Sequence, residues 1–116
     1  MAVKKDRIVF GDTYHISYTC LKRDGSMRQN DRQPINPIMA EVSLWNVIDQ
    51  VFVPLNEHGD LEMSVVPNEN KIDFIIPADV LSVDGDYKCF VTAIFDVEGE
   101  EHRVTQIRAF RVQAKE

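Results

Sequence analysis

No run in the chain approaches the roughly 20 consecutive apolar residues that a bilayer-spanning helix needs, although 44% of its 116 residues are hydrophobic. The opening segment, Met1 to Arg7, carries charges and is not followed by the apolar stretch of a secretion signal. The expected location is therefore the interior of the producing cell, with no membrane as partner. Cysteine is scarce, with only Cys20 and Cys89. They are too far apart for a CxxC redox pair or a local zinc knuckle. Two cysteines cannot supply a disulfide scaffold, although they suffice for a single bridge.

Compact catalytic and ligand motifs are missing as well. His15, His58 and His102 are scattered, and none belongs to HExxH. Ser17 shares a strand face with His15, yet no oriented acid or nucleophile elbow accompanies them. Asp84-Gly85-Asp86 lacks the ligand series of an EF-hand, and Glu98, Glu100 and Glu101 flank the opposite end of the strand that follows it, so these oxygens are not expected to converge on one cation. There is no Gly-rich phosphate cradle. The expectation is a protein without enzymatic activity, cofactor or metal. Nor is nucleic acid an expected partner. The formal net charge is −6, and Asn56 to Glu101 holds 12 acidic and 2 basic residues, whereas backbone-dominated recognition needs a coherent positive surface.

What the chain has in quantity is apolar alternation with a period of two, the pattern of strands with one face in a core. Tyr14, Ile16, Tyr18 and Cys20 alternate with Thr13, His15, Ser17 and Thr19. Ile72, Phe74 and Ile76 alternate with Lys71 and Asp73, and Leu61, Met63 and Val65 with Glu62 and Ser64. The clearest run is Tyr87 to Val97, where Tyr87, Cys89, Val91, Ala93, Phe95 and Val97 share one side. Nothing comparable recurs at helical spacing.

Turn signals separate these runs: Asp24-Gly25, Gly59-Asp60, Asp84-Gly85 and Glu98-Gly99. Pro34 and Pro37 mark residues 30–38 as a crossing loop. Pro77 to Leu81 is predicted to make one helical turn that carries the chain from one sheet to the other. Strands are predicted near Ile8 to Val9, Thr13 to Lys22, Ala40 to Ile48, Gln50 to Leu55, Leu61 to Val66, Lys71 to Ile76, Tyr87 to Val97 and Arg103 to Gln113. Seven or eight short strands in a single domain of this length argue for an all-β, antiparallel sandwich, with a barrel as competitor. In the last strand, Ile107 and Ala109 have one parity and Phe110, Val112 and Ala114 the other, which predicts a bulge near Ala109 or Phe110.

Tyr87-Lys88-Cys89, preceded by Asp84-Gly85-Asp86, resembles the tyrosine-corner segment of immunoglobulin domains, where a buried ring directs its hydroxyl back to nearby backbone. Cys20 and Cys89 share inward parity and form a candidate core pair, either bridged or as two free thiols. Trp45, however, alternates with Leu44 instead of sharing its side, so the architecture is read as immunoglobulin-like without an immune role. The order of motifs is also similar to the β-sandwich domains of tailed-phage structural proteins, including the N-terminal domain of phage baseplate upper proteins. The segments that carry this resemblance are Leu21-Lys22-Arg23-Asp24-Gly25, Pro34-Ile35-Asn36, Val42-Ser43-Leu44, Lys71 to Pro77, Val80-Leu81, Gly85-Asp86-Tyr87, Glu98-Gly99 and Phe110-Arg111-Val112. It implies a non-enzymatic virion component of the tail, baseplate or neck. Such a component is made in the host cytoplasm and then built into the particle. It acts by contacts with other virion structural proteins and with copies of itself.

The residues themselves nominate a surface for those contacts. Trp45, Phe52, Phe90 and Ile94 have parities opposite to the core sets of their strands, which would leave large apolar groups open to a partner. The competing expectation is a carbohydrate- or ligand-binding sandwich in which Trp45 stacks on an apolar ring.

Overall fold

The computed structural model describes residues 6–22 and 33–113. Ten strands follow in order: β1 (Asp6–Val9), β2 (Tyr14–Thr19), β3 (Leu21–Lys22), β4 (Gln33–Pro34), β5 (Met39–Asn46), β6 (Val51–Phe52), β7 (Glu62–Val65), β8 (Lys71–Ile76), β9 (Gly85–Val97) and β10 (Glu100–Gln113). No helix occurs among the described residues, so the all-β reading holds. The Asp24-Gly25 turn and the start of the predicted crossing loop lie outside the described residues.

The strands build one large sheet, in the order β1-β10-β9-β5-β6 with β7 also paired to β5, packed on the small β2-β8 pair, while β3 and β4 pair with each other. β9 is the centre of the large sheet, antiparallel to β10 on one side and to β5 on the other. One pairing departs from the expected antiparallel arrangement: β1 runs parallel to β10, with Asp6 opposite Phe110 and Ile8 opposite Val112. This places Ile8 in the core. Pro77 to Leu81 does cross between sheets as expected, through consecutive bonds from the Val80 N–H to the Pro77 carbonyl and from the Leu81 N–H to the Ala78 carbonyl. Leu81 closes the crossing by burying its side chain.

The core lies between the large sheet and the β2-β8 pair and is built from the inward parity of each strand. Ala40, Val42 and Leu44 of β5, Tyr87, Cys89, Val91, Ala93 and Phe95 of β9, and Phe110 and Val112 of β10 meet Tyr14 and Ile16 of β2 and Ile72 and Ile76 of β8. At one end of the core, Phe110 stacks on Tyr87 at 5.4 Å between ring centroids and 10° between planes, and packs tilted by 32° against Tyr14 at 4.2 Å. The Tyr87 hydroxyl donates a hydrogen bond to the Val83 carbonyl, so a buried phenol tip has a partner in the loop before its own strand.

The register of β10 corrects the predicted bulge. β9 and β10 pair without interruption from Val97 opposite Glu100 to Gly85 opposite Val112. A two-residue turn joins them, with Glu98 at φ 52° and Gly99 at φ 83°, the paired left-handed geometry that suits a tight hairpin. Ile107 and Ala109 therefore need no extra residue. They point away from the core. The predicted strand at Gln50 to Leu55 also shortens to Val51–Phe52. Gln50 turns at φ 55°, and Pro54 has no N–H to donate to a ladder.

Cys20 and Cys89 are both buried and both free thiols. Burial raises the pKa of each, and the Cys89 thiol is pushed up to about 12, against the smaller opposing effect of the Arg108 charge. Two outcomes follow. At pH 8 neither thiol reacts appreciably with iodoacetamide until denaturant is added, as mass spectrometry of timed samples will show. A thiol of an unfolded chain ionises near 9, so the protection of Cys89 contributes stability that is complete below that pH and is lost as pH rises towards about 12. The urea midpoint should fall above pH 9. Cys89→Ala should flatten that fall, leaving only the smaller contributions of the buried Cys20 and Tyr87, whose pKa values burial also raises.

Candidate interaction surface

The β2-β8 pair covers one face of the large sheet, and the opposite face carries the outward parity of β10, β9 and β5. Cross-strand partners can be read row by row along it. Ala109, Lys88, Trp45 and Phe52 form one row; Ile107, Phe90, Ser43 and Glu62 the next; Thr105, Thr92, Glu41 and Ser64 the third. Apolar side chains concentrate in the first two rows. The Trp45 and Phe52 rings meet edge to face, 4.9 Å between centroids at 73°, and Phe52 lies 6.4 Å from Phe90. Phe52 remains 45% exposed and Ile107 55% exposed, while Trp45 and Phe90 are half-buried.

The turn after β5 decides where Phe52 falls. Asn46, the one buried polar side chain among the described residues, accepts hydrogen bonds at its Oδ1 from the N–H groups of Ile48 (3.0 Å) and Asp49 (3.1 Å). Its backbone carbonyl accepts a further bond from the Gln50 N–H. This Asx turn reverses the chain immediately, so Val51–Phe52 returns along β5 and Phe52 lands opposite Trp45. Gly85 makes room for the same turn. A Cβ there would stand 2.4 Å from Ile48 Cδ1, and the glycine φ of +127° is one that other residues rarely adopt.

Three of the four sequence-nominated contact residues, Trp45, Phe52 and Phe90, are thus brought into one cluster. The fourth is corrected. Ile94 has the outward parity expected, yet it is only 4% exposed and lies outside the inter-sheet core. Its neighbours across the ladders are Arg103 on β10 and Met39 on β5. The Arg103 guanidinium extends from β10 past β9 to Glu41 on β5, 3.1 Å away, and its Nε donates to Glu101 at 3.1 Å. The aliphatic stem of an arginine so held covers apolar surface beneath it. Ile94 is therefore buried by its own chain, in the ladder row of Arg103 and Met39 and with the Ile38 N–H on its carbonyl, and offers nothing to a partner.

The parity break between Ile107 and Phe110, taken as a bulge, does not identify Ile107 as a surface residue. A usable signal existed in the Glu98-Gly99 turn. Counting back from a two-residue hairpin places Ile107 opposite Phe90, on the outward side.

The polar candidates stay apart. His15 lies 3.7 Å from Asp73 on the exposed side of the β2-β8 pair, His102 lies 3.7 Å from Glu100 on β10, and His58 sits in the loop that the Asn56 side chain organises through the His58 and Asp60 N–H groups. Asp84 and Asp86 stand at the start of β9 and Glu98 to Glu101 at its far end. Among the described residues no group of three or more His, Cys, Asp or Glu side chains converges.

Trp45 is the chain's single tryptophan, so its fluorescence reports on this face alone. Phe52→Ala removes the ring that shields one side of the indole. The emission maximum should move to longer wavelength and acrylamide quenching should increase. The urea midpoint should fall by no more than the equivalent of about 1.5 kcal/mol, the scale of one aromatic pair. Asn46→Ala should produce the same red shift with a larger loss of stability, about 1–3 kcal/mol, because two backbone N–H groups lose their acceptor.

Comparison with protein-family models, with curated proteins and with solved structures finds no match for this chain.

Proposed function

We propose that the chain is a non-enzymatic, immunoglobulin-like β-sandwich module of a tailed-phage virion, in the tail, baseplate or neck, and that it works by docking other structural proteins of the particle. It is made in the host cytoplasm and ends in the virion. The observation that carries the interaction role is the Trp45, Phe52, Phe90 and Ile107 cluster on the uncovered face of the large sheet. The Trp45–Phe52 pair adds only modestly to stability while leaving both rings partly in water, so a contact that covers them gains further burial. Aromatic groups ringed by polar residues are the usual composition of a protein contact. The immunoglobulin-like reading is supported by the Tyr87 hydroxyl bonded to the Val83 carbonyl, two residues before a buried cysteine. The phage assignment rests on the sequence resemblance.

A second reading, carbohydrate binding through Trp45, draws on the same exposed rings. The edge-to-face packing of Trp45 and Phe52 disfavours it, since the two rings do not share a plane on which a sugar could lie.

Particles assembled from the genome that encodes this chain should contain it after gradient purification. A Phe52→Ser/Phe90→Ser variant that keeps the wild-type circular dichroism spectrum should be depleted at least tenfold from them. Purified particles without the protein would overturn the virion assignment. Specific, Trp45-dependent retention on a glycan array, with normal incorporation of the double variant, would favour the carbohydrate reading instead.

A further inference from the structure

We infer that the free edge of β10 receives an extended segment of a different polypeptide as an added strand, and that this segment carries apolar side chains on both faces and an acidic one beside Arg108. The site is separate from the aromatic cluster and goes beyond the docking reading above.

The backbone sets what the edge recognises. The Glu98-Gly99 turn closes on Val97 and Glu100, so even-numbered residues of β10 direct their N–H and C=O groups at β9 and odd-numbered residues turn theirs away. The far end agrees: the Gln113 carbonyl accepts from the Phe10 N–H, on the side away from β9. Among the described residues only β1 pairs along this side, and it begins with Asp6 opposite Phe110. Ahead of that point, Glu101, Arg103, Thr105 and Ile107 present a row of open donors and acceptors, repeating about every 6.8 Å. Another extended backbone matches such a row, donor to acceptor, along its whole length.

Every open sheet has edges, and most are blunted. This one is not. β6 has two residues, β1 and β7 four each, and β2 and β8 six each, whereas β10 has 14, with no proline, no glycine and no bulge. Charged side chains are the remaining defence, but Arg103 leans back past β9 to Glu41 and holds Glu101 with it. Both faces of β10 from His102 to Arg108 are exposed, so an added strand has room for its side chains above and below.

Those flanks specify the segment. Val104 is exposed on the inward face and Ile107 on the outward one, and an added strand buries an apolar side chain against each. Arg108 donates to the Ser17 carbonyl at 3.3 Å. Unlike Arg103 and Arg111, it has no carboxylate partner among the described residues, and an acidic residue of the segment supplies one. β1 closes the slot at Phe110 and the turn ends it at Gly99, which leaves room for a tail or loop segment of about eight residues.

The test uses the full chain and a synthetic library of peptides, about eight residues long, with valine, threonine or glutamate at every position. Members that bind should slow amide exchange at Glu101, Arg103, Thr105 and Ile107, followed by NMR. Thr105→Pro removes one donor of the open row and leaves the β9 ladder its bonds. It should keep the wild-type circular dichroism spectrum and bind about tenfold more weakly. N-methylation of alternate peptide residues should weaken binding as much, in only one of its two phases, and this arm needs no protein variant. Arg108→Gln should weaken glutamate-containing members about threefold and leave the others unchanged. Phe52→Ser/Phe90→Ser should leave peptide binding intact, which separates failure of this inference from failure of the docking reading. The inference is overturned when no member binds at about 1 mM, when bound peptide protects none of the four N–H groups, or when methylation in either phase has no effect. Protection that appears without peptide and rises with protein concentration overturns it too, because a second copy then fills the edge.

Discussion

Everything in this fold hangs from the register of one hairpin. The two-residue turn at Glu98-Gly99 sets Val97 opposite Glu100, and the ladder then runs unbroken to Gly85 opposite Val112. That single alignment stacks Phe110 on Tyr87 inside the molecule and sets Ile107 beside Phe90 outside it. A slip of one residue would exchange the two faces of β10, exposing Phe110 and Val112 and turning Arg111 into the core, at a large cost in lost burial and charge desolvation. The hairpin also carries the strands that pair with it. β1 takes its place along β10, while β5 pairs with β9 in a ladder of its own, which aligns the outward rings of β5 and β6 with Phe90.

The large sheet treats its two faces differently because only one of them is covered. The β2-β8 pair covers the inward face over the Tyr87 to Phe95 stretch of β9 and its neighbours, where the core residues approach complete burial, while the inward side of β10 from His102 to Arg108 stays exposed. The outward face has no second layer among the described residues and deals with its apolar side chains in two ways. At one end, Ile94 is enclosed by its own chain, in the ladder row of Met39 and Arg103, whose guanidinium pairs with Glu41. At the other, Trp45, Phe52, Phe90 and Ile107 are held against one another but left half in solvent. That contrast singles out the aromatic end.

Much of this was legible in the sequence. Alternation placed Trp45, Phe52 and Phe90 on the side away from the core and placed Cys20 and Cys89 on the inward side, because a strand's side-chain period is a local property of the backbone. The Pro77 to Leu81 crossing was legible for a similar reason: proline and the following residues restrict the chain locally. Errors arose where a strand's neighbours mattered. Ile107 was read against the core parity of its own strand and so required a bulge, whereas its position follows from the hairpin partner. Parity leaves Ile94 open, although the structure buries it among residues of neighbouring segments that its own strand does not reveal.

The sequence by itself determined which side chains share a face, where the tight turns fall and that the protein is built of strands, since each follows from interactions among residues a few positions apart. Only the tertiary structure decided which of the two faces is covered, that β1 joins β10 in parallel, and that Ile94 is buried while the aromatic cluster stays open. Those outcomes depend on strand order and on side chains crossing from one strand to another, which no period along the chain encodes.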